Sequence, residues 1–379
     1  MVGSIRIGRI FGIPVILHWS LLLAIPLFTL VIGTDIPLLS EPVFSLFRVS
    51  NPDTSLLVQG WDPYLLGAVV SLALFACVLI HELAHCVVAL RRGIRINSIT
   101  LLILGGISSI ENELPDPRDE LPMALAGPLM SLALGVLSSI LVLATTSFVK
   151  NMPVAAVLVF LFGYLALLNL ILFVFNLLPA FPMDGGRVLR AWLAQRMPLA
   201  RATRIAADIG KIFAVIFGIF GVFVVFNPVL IIIAFFIYIG ADQEFMALRT
   251  TLLLRDVAVR DVMSPNLVTV APEMPVPEVI RLMYSTKHLG FPVVEMGRLV
   301  GMVTLEDVHR TSEIDRDAKR VGDIMVRTLL TLPPTAMLSD AFRLMSRYNV
   351  GRIPIVSENT LLGIVTRTDI LKVMELREA

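Results

Sequence analysis

Charge is what this chain has least of. Only 16% of its 379 residues are Asp, Glu, Lys or Arg, while 56% are hydrophobic and mean hydropathy is +0.85. Soluble domains carry about 25% charged and about 45–50% apolar residues. A wholly soluble globule is therefore excluded, and a membrane domain takes up at least half of the chain. The net charge is +1 and no basic run occurs, so nothing in the sequence calls for nucleic acid as a partner. Cysteine is scarce as well: Cys77 and Cys86 are the only two. On one predicted helix they lie about 13 Å apart along the axis, whereas a disulfide spans about 7 Å at most. No disulfide framework is available, and both read as small core residues. The N-terminus does not read as a cleavable leader. The apolar run from Ile13 to Gly33 is longer than a signal h-region, and no small-residue cleavage site follows it. It reads as a retained first span.

Long apolar runs are what the chain has in quantity. Six segments, near residues 14–33, 64–92, 119–147, 153–178, 208–226 and 228–247, approach the ~20 residues a bilayer crossing requires. The third contains Pro122 and Gly127–Pro128, where a kink is expected. Loop charge orients the set. Arg6 and Arg9 precede span one. Arg91, Arg92, Arg95 and Arg118 follow span two. Arg187, Arg190, Arg196, Arg201, Arg204 and Lys211 follow span four, against only Arg48 and Lys150 on the other side. By the positive-inside rule both termini are cytosolic, in a multi-pass protein of the cell membrane. Between spans two and three, β-branched and alternating residues around Gly105–Gly106 predict a short hairpin. The polar, proline-bearing stretch 111–122 reads as a cytosolic loop.

After Arg249 the apolar runs stop. A soluble region from about Val257 contains a unit used twice at a constant offset of 62 residues. Asp261-Val-Met recurs as Asp323-Ile-Met, Arg281-Leu-Met as Arg343-Leu-Met, and Phe291-Pro-Val-Val as Ile353-Pro-Ile-Val. Gly301-Met-Val-Thr recurs as Gly363-Ile-Val-Thr, and Asp307 as Asp369. Each copy reads as helix, strand, strand, helix. The expected architecture is a polytopic α-helical membrane domain of about six transmembrane helices over 1–250, joined to a soluble α/β tandem repeat at 257–312 and 319–379.

Chemistry concentrates in the second span. His81 and His85 are separated by four residues and share a helix face; polar side chains in hydrocarbon need a compensating partner. With Glu82 they form the His-Glu-x-x-His pattern of zinc hydrolases, two imidazole ligands and a glutamate base. A polar face lining a pore is the alternative. Zinc requires a third ligand, and Asp184 is the best candidate. It follows Pro179 and Pro182, which break span four at its cytosolic end, and broken backbone at membrane depth belongs beside a cavity or in protein. Taken alone, Asp184 also reads as a helix N-cap. His18 lies in the first span and reads as a core or supporting residue.

His81-Glu-Leu-Ala-His85 together with Asn176-x-x-Pro179-x-x-Pro182-x-Asp184-Gly185 resembles the site-2 protease family of intramembrane zinc metalloproteases. The resemblance implies one Zn2+ held by His81, His85 and Asp184, Glu82 as catalytic base, and cleavage within a substrate's membrane-spanning segment. Asn176 matches a family asparagine near the active site. It reads either as a donor to the scissile carbonyl or as a buried asparagine satisfying broken backbone. Gly105 and Gly106 sit where relatives place a strand that pairs with unwound substrate.

The repeat resembles a tandem cystathionine-β-synthase (CBS) pair, through Gly301-x-Val-Thr304-x-x-Asp307 and Gly363-x-Val-Thr366-x-x-Asp369. That resemblance implies an adenine nucleotide (ATP, ADP or AMP) with Thr304 and Thr366 at phosphate and Asp307 and Asp369 at ribose. The alternative is that each threonine caps a helix with the aspartate in its first turn. CBS pairs also imply a homodimer. From a different functional class, a CBS-gated channel or transporter with histidines along an ion path is the rival to a protease acting on membrane proteins.

Overall fold

A computed structural model describes residues 4–49, 52–103, 105–110, 116–149, 153–358 and 360–378. Lys150 and residues 111–115 of the polar loop lie outside the described residues. The chain divides into two compact units, Met1–Met246 and Ala247–Ala379.

The first unit opens with strands β1 (Ser4–Ile10) and β2 (Ile13–His18), then α1 (Trp19–Leu46), a single turn α2 (Ser55–Val58) and α3 (Asp62–Arg91). A hairpin of β3 (Ile96–Leu102) and β4 (Gly105–Ile110) follows, then α4 (Pro117–Phe148), α5 (Pro153–Asn176), the short α6 (Asp184–Ala194), α7 (Leu199–Phe223) and α8 (Pro228–Leu254). Helices α1, α3, α4, α5, α7 and α8 are long and apolar enough to cross a membrane, as expected. The first span begins later than the apolar run does. Ile13–His18 is a strand, and His18 caps α1, its Nδ1 accepting from the Ser20 amide at 3.3 Å. A short β-branched run bounded by Gly12 is as good a strand as a helix start, and periodicity alone does not separate them.

The predicted hairpin is present and is part of a larger sheet ordered β1-β2-β3-β4. β2 and β3 pair in parallel, Val15 opposite Ile99, while the two hairpins are antiparallel. β4 is thus an edge strand. Ile13, Ile99 and Leu101 bury against Leu21, Phe75 and Cys86, which fastens the sheet to α1 and α3. Deeper in the bundle, Ile36 and Phe44 of α1 meet Val70 of α3, Val142 of α4 and Phe160 of α5. Gly67 permits the close α1–α3 approach, since a Cβ there would stand 2.6 Å from the Thr29 carbonyl oxygen.

The second unit contains α9 (Val276–Thr286), β5 (Gly290–Glu295), β6 (Arg298–Thr304) and α10 (Leu305–Arg310). After the short α11 (Glu313–Arg316) and α12 (Val321–Ile324), the pattern repeats as α13 (Leu338–Tyr348), β7 (Arg352–Ser357), β8 (Thr360–Thr366) and α14 (Arg367–Glu378). The sheet order β5-β6-β8-β7 is symmetric about its centre. The segments ahead of each repeat are exchanged. Val326 bridges Met302 of the first copy, and Ser264 bridges Ile364 of the second. Each copy therefore completes the other's sheet. The offset of 62 residues carries these bridges onto one another.

Candidate metal centre

Helix α3 places His81 and His85 one turn apart. Their Nε2 atoms are 3.2 Å from each other, and they lie 3.2 and 3.1 Å from the same oxygen, Oδ2 of Asp184. Asp184 opens α6, immediately after the broken stretch that follows α5. The N-cap is Met183, so Asp184 is the first helical residue rather than the cap it could have been, and its carboxylate faces the imidazoles. Three donor atoms thus form a near-equilateral triangle. Ligands at about 2.0–2.2 Å from a tetrahedral zinc are separated by about 3.3 Å, so the triangle has the size of one face of such a site.

The donor chemistry agrees. His85 Nδ1 sits 2.7 Å from the Met123 carbonyl oxygen, which only accepts, so that nitrogen carries the proton. In the neutral imidazole Nε2 then offers a lone pair towards Asp184. His81 Nδ1 is held 2.9 Å from Ser131 Oγ. This bracing of the far ring nitrogen is what orients metal-binding histidines. Room for an ion exists because position 127 is glycine. A Cβ there would fall 2.1 Å from His85 Nε2 and 2.5 Å from His81 Nε2. Among the described residues, His81, His85 and Asp184 are the cluster suited to a metal ion.

Glu82 stands beside this triangle. Its Oε2 accepts from Ser108 Oγ at 2.8 Å. Gly106 packs directly on it, and a Cβ at 106 would lie 2.3 Å from Glu82 Cγ. Gly105 opens β4 with φ +132°, a conformation glycine tolerates best. Asn176 is the last residue of α5. Its Nδ2 donates to the Leu172 carbonyl of its own helix at 2.9 Å. All of these line one cavity of about 760 Å3, whose remaining wall is largely apolar, with Phe28, Leu74, Phe75, Ile171 and Phe236.

In the second unit, Thr304 Oγ1 donates to Asp307 Oδ2 at 2.6 Å and the Thr304 amide donates to the same oxygen at 2.8 Å. Thr366 and Asp369 repeat this at 2.7 and 2.9 Å. Each pair caps its helix. Asp307 is buried, and Asp369 is half-buried.

Sequence reading missed Gly127, Met123, Ser108 and Ser131. Gly127 was visible only as a Gly-Pro step, and its steric role needs the facing helix. Glu120, Arg190 and Glu244 were missed too. Arg190 donates through Nε to Glu120 at 3.0 Å and through Nη1 to Glu244 at 2.8 Å, and Nη2 also reaches Glu120. Burial weakens the charge on Arg190, but the two carboxylates more than offset this and hold its pKa above the ordinary value. An acid, a base and another acid on three helices leave no local signal.

Residues 69–152 and 146–217 match the Peptidase family M50, and residues 259–313 and 321–376 match the CBS domain. A zinc metalloprotease of Methanocaldococcus jannaschii is 34% identical over 99% of this chain and 97% of its own length. A CBS domain-containing protein of Bacillus subtilis is 36% identical over 30% of this chain and 82% of its own. Among solved structures, a site-2 protease from Methanocaldococcus jannaschii shares 34% identity, covering 64% of this chain and 95% of that one, with a TM-score of 0.42. The channel alternative is not favoured by these relationships. With six apolar helices and this sequence kinship along nearly all of its length, the chain belongs to the M50, or site-2 protease, family of zinc metalloproteases, as a multi-pass membrane member carrying a tandem CBS pair.

Proposed function

We propose that the protein hydrolyses a peptide bond within or near the membrane-spanning segment of other membrane proteins. The observation that carries this reading is the triangle of His81 Nε2, His85 Nε2 and Asp184 Oδ2 with edges of 3.1–3.2 Å, set beside Glu82 in an apolar cavity. Those three residues would hold one Zn2+. When bound, the ion supplies a Lewis acid and makes a water acidic enough to be deprotonated near neutral pH. Glu82 takes the proton from the attacking water and hands it to the leaving amine. Ser108 Oγ keeps the Glu82 carboxylate in place through its 2.8 Å hydrogen bond. The apolar wall limits bulk water and accepts a lipid-soluble segment. A helical substrate hides its peptide bonds, so it must unwind, and the edge of β4 at Gly105 and Gly106 receives it as an added strand. Asn176 lines the same cavity, and the amide hydrogen it does not give to Leu172 would serve the substrate backbone. Replacing Glu82 with Gln should leave metal bound and abolish cleavage of a single-span substrate by reconstituted protein. Persistent cleavage by E82Q would sink the assignment.

The CBS pair regulates this activity by binding an adenine nucleotide, with Thr304 and Asp307 at one site and Thr366 and Asp369 at the other. Each carboxylate uses Oδ2 in its cap, which leaves Oδ1 for ribose hydroxyls. Asp369 is the more open of the two. Both termini face the cytosol, and the CBS pairs of two chains associate into a homodimer. Calorimetry of AMP, ADP and ATP with the full chain in detergent tests the site, and light scattering of the same sample tests the dimer.

A further inference from the structure

Four positions on α4 organise the centre, and they form one stripe. Glu120, Met123, Gly127 and Ser131 are spaced three, four and four residues apart, which puts them on one helix face. Met123 braces His85, Ser131 braces His81, and Gly127 leaves the space between. Glu120 begins the stripe, and its partner is Arg190 of α6. Asp184 is the first of the eleven residues of α6 and Arg190 the seventh, and both are tied to α4 or α3 through charged or polar partners. Arg190 is 8% exposed and Glu120 only 2%. The guanidinium also sits 5.1 Å from the ring of Phe181, which is fully buried in the loop leading to Asp184. Its third branch reaches Glu244 of α8. One side chain therefore locks the loop before Asp184, the helix after it and the face of α4 that braces both histidines.

We infer that Arg190 is a positioning residue for the metal centre, registering Asp184 against His81 and His85 through Glu120. This rests on the metal reading above. It touches neither substrate nor reacting atoms; it fixes the third ligand relative to the other two. A forked guanidinium suits this because it bonds two carboxylates in fixed directions, which a lysine ammonium does not.

The test uses full-length protein in detergent, loaded with Co2+, whose visible absorption reports coordination geometry. Wild-type protein should bind one Co2+, lost on His81→Ala. Absence of binding, or binding indifferent to His81, defeats the metal reading and this inference together. With wild type loaded, Arg190→Met and Arg190→Lys should bind Co2+ about 10–100-fold more weakly, the range for residues that orient ligands, and so release it faster, with an altered band. Thermal unfolding is measured with and without metal. Loss of packing alone lowers both midpoints equally, whereas loss of positioning shrinks the increment that metal adds. If Arg190→Met does not fold, Arg190→Lys and the isosteric Glu120→Gln decide. Wild-type release rates and band in whichever variants fold overturn the inference.

Discussion

Gly106 lies flat against the side chain of Glu82, so close that a methyl group at 106 would stand 2.3 Å from Glu82 Cγ. Strand β4 and helix α3 touch at this point, and the carboxylate proposed as the base lies between them. Gly106→Ala must displace either the strand or the carboxylate. Cleavage should fall by about 100-fold, the scale of a misplaced catalytic group, while zinc content measured by elemental analysis stays at one per chain. An alanine variant with wild-type turnover would detach Glu82 from the chemistry assigned to it.

Gly127 makes the complementary case. Its missing side chain is the space next to both Nε2 atoms, so Gly127→Ala should abolish zinc retention and with it activity. Circular dichroism should report an unchanged helix content, since alanine is the better helix former. Full zinc occupancy in this variant would mean that the ion sits elsewhere.

Ser131→Ala and Ser108→Ala should separate two kinds of support. Removing the Ser131 hydroxyl takes away the brace on His81 Nδ1 and should lower zinc affinity about 10–100-fold, read by competition with a chelating dye. Removing the Ser108 hydroxyl frees Glu82 and should lower kcat about 10-fold, with KM and zinc content unchanged. Interchanged results would exchange the two roles.

Removal of the metal offers a direct check. Dialysis against a chelator should abolish cleavage, and stoichiometric Zn2+ should restore it. Asp184→Asn should prevent recovery at the zinc concentration that restores wild type, because a neutral amide is a far poorer ligand than a carboxylate.

The cytosolic assignment of the second unit is checked at Met296, which is 98% exposed between β5 and β6. In a background lacking Cys77 and Cys86, Met296→Cys should react with an impermeant thiol reagent only after the membrane is opened. Labelling in intact cells would invert the topology.

What could be read without coordinates was whatever is local. His81 and His85 announce themselves because a helix turn brings positions four apart together, and the CBS repeat because its offset never changes. The hairpin at Gly105–Gly106 was legible from alternation. β1 and β2 were not, because Ile13–His18 is as apolar as the helix that follows, and only its parallel partner Ile99 in β3 distinguishes it. The Arg190 cluster was invisible for a related reason. In the sequence Arg190 is one of several loop cations that orient the protein, and its carboxylates stand 70 and 54 positions away.

The docking of substrate on the edge of β4 proposed above has a consequence for selectivity. A strand edge presents amides and carbonyls at a fixed spacing and is blind to most of what distinguishes one side chain from another. It measures how readily a segment gives up its own helical hydrogen bonds for those on offer. Sequences rich in leucine hold their helix and arrive closed; glycine, proline and polar residues near the cytosolic face arrive half open. Substrate choice then becomes a matter of how long a membrane segment stays unwound, a kinetic property of the victim that the enzyme samples but does not encode.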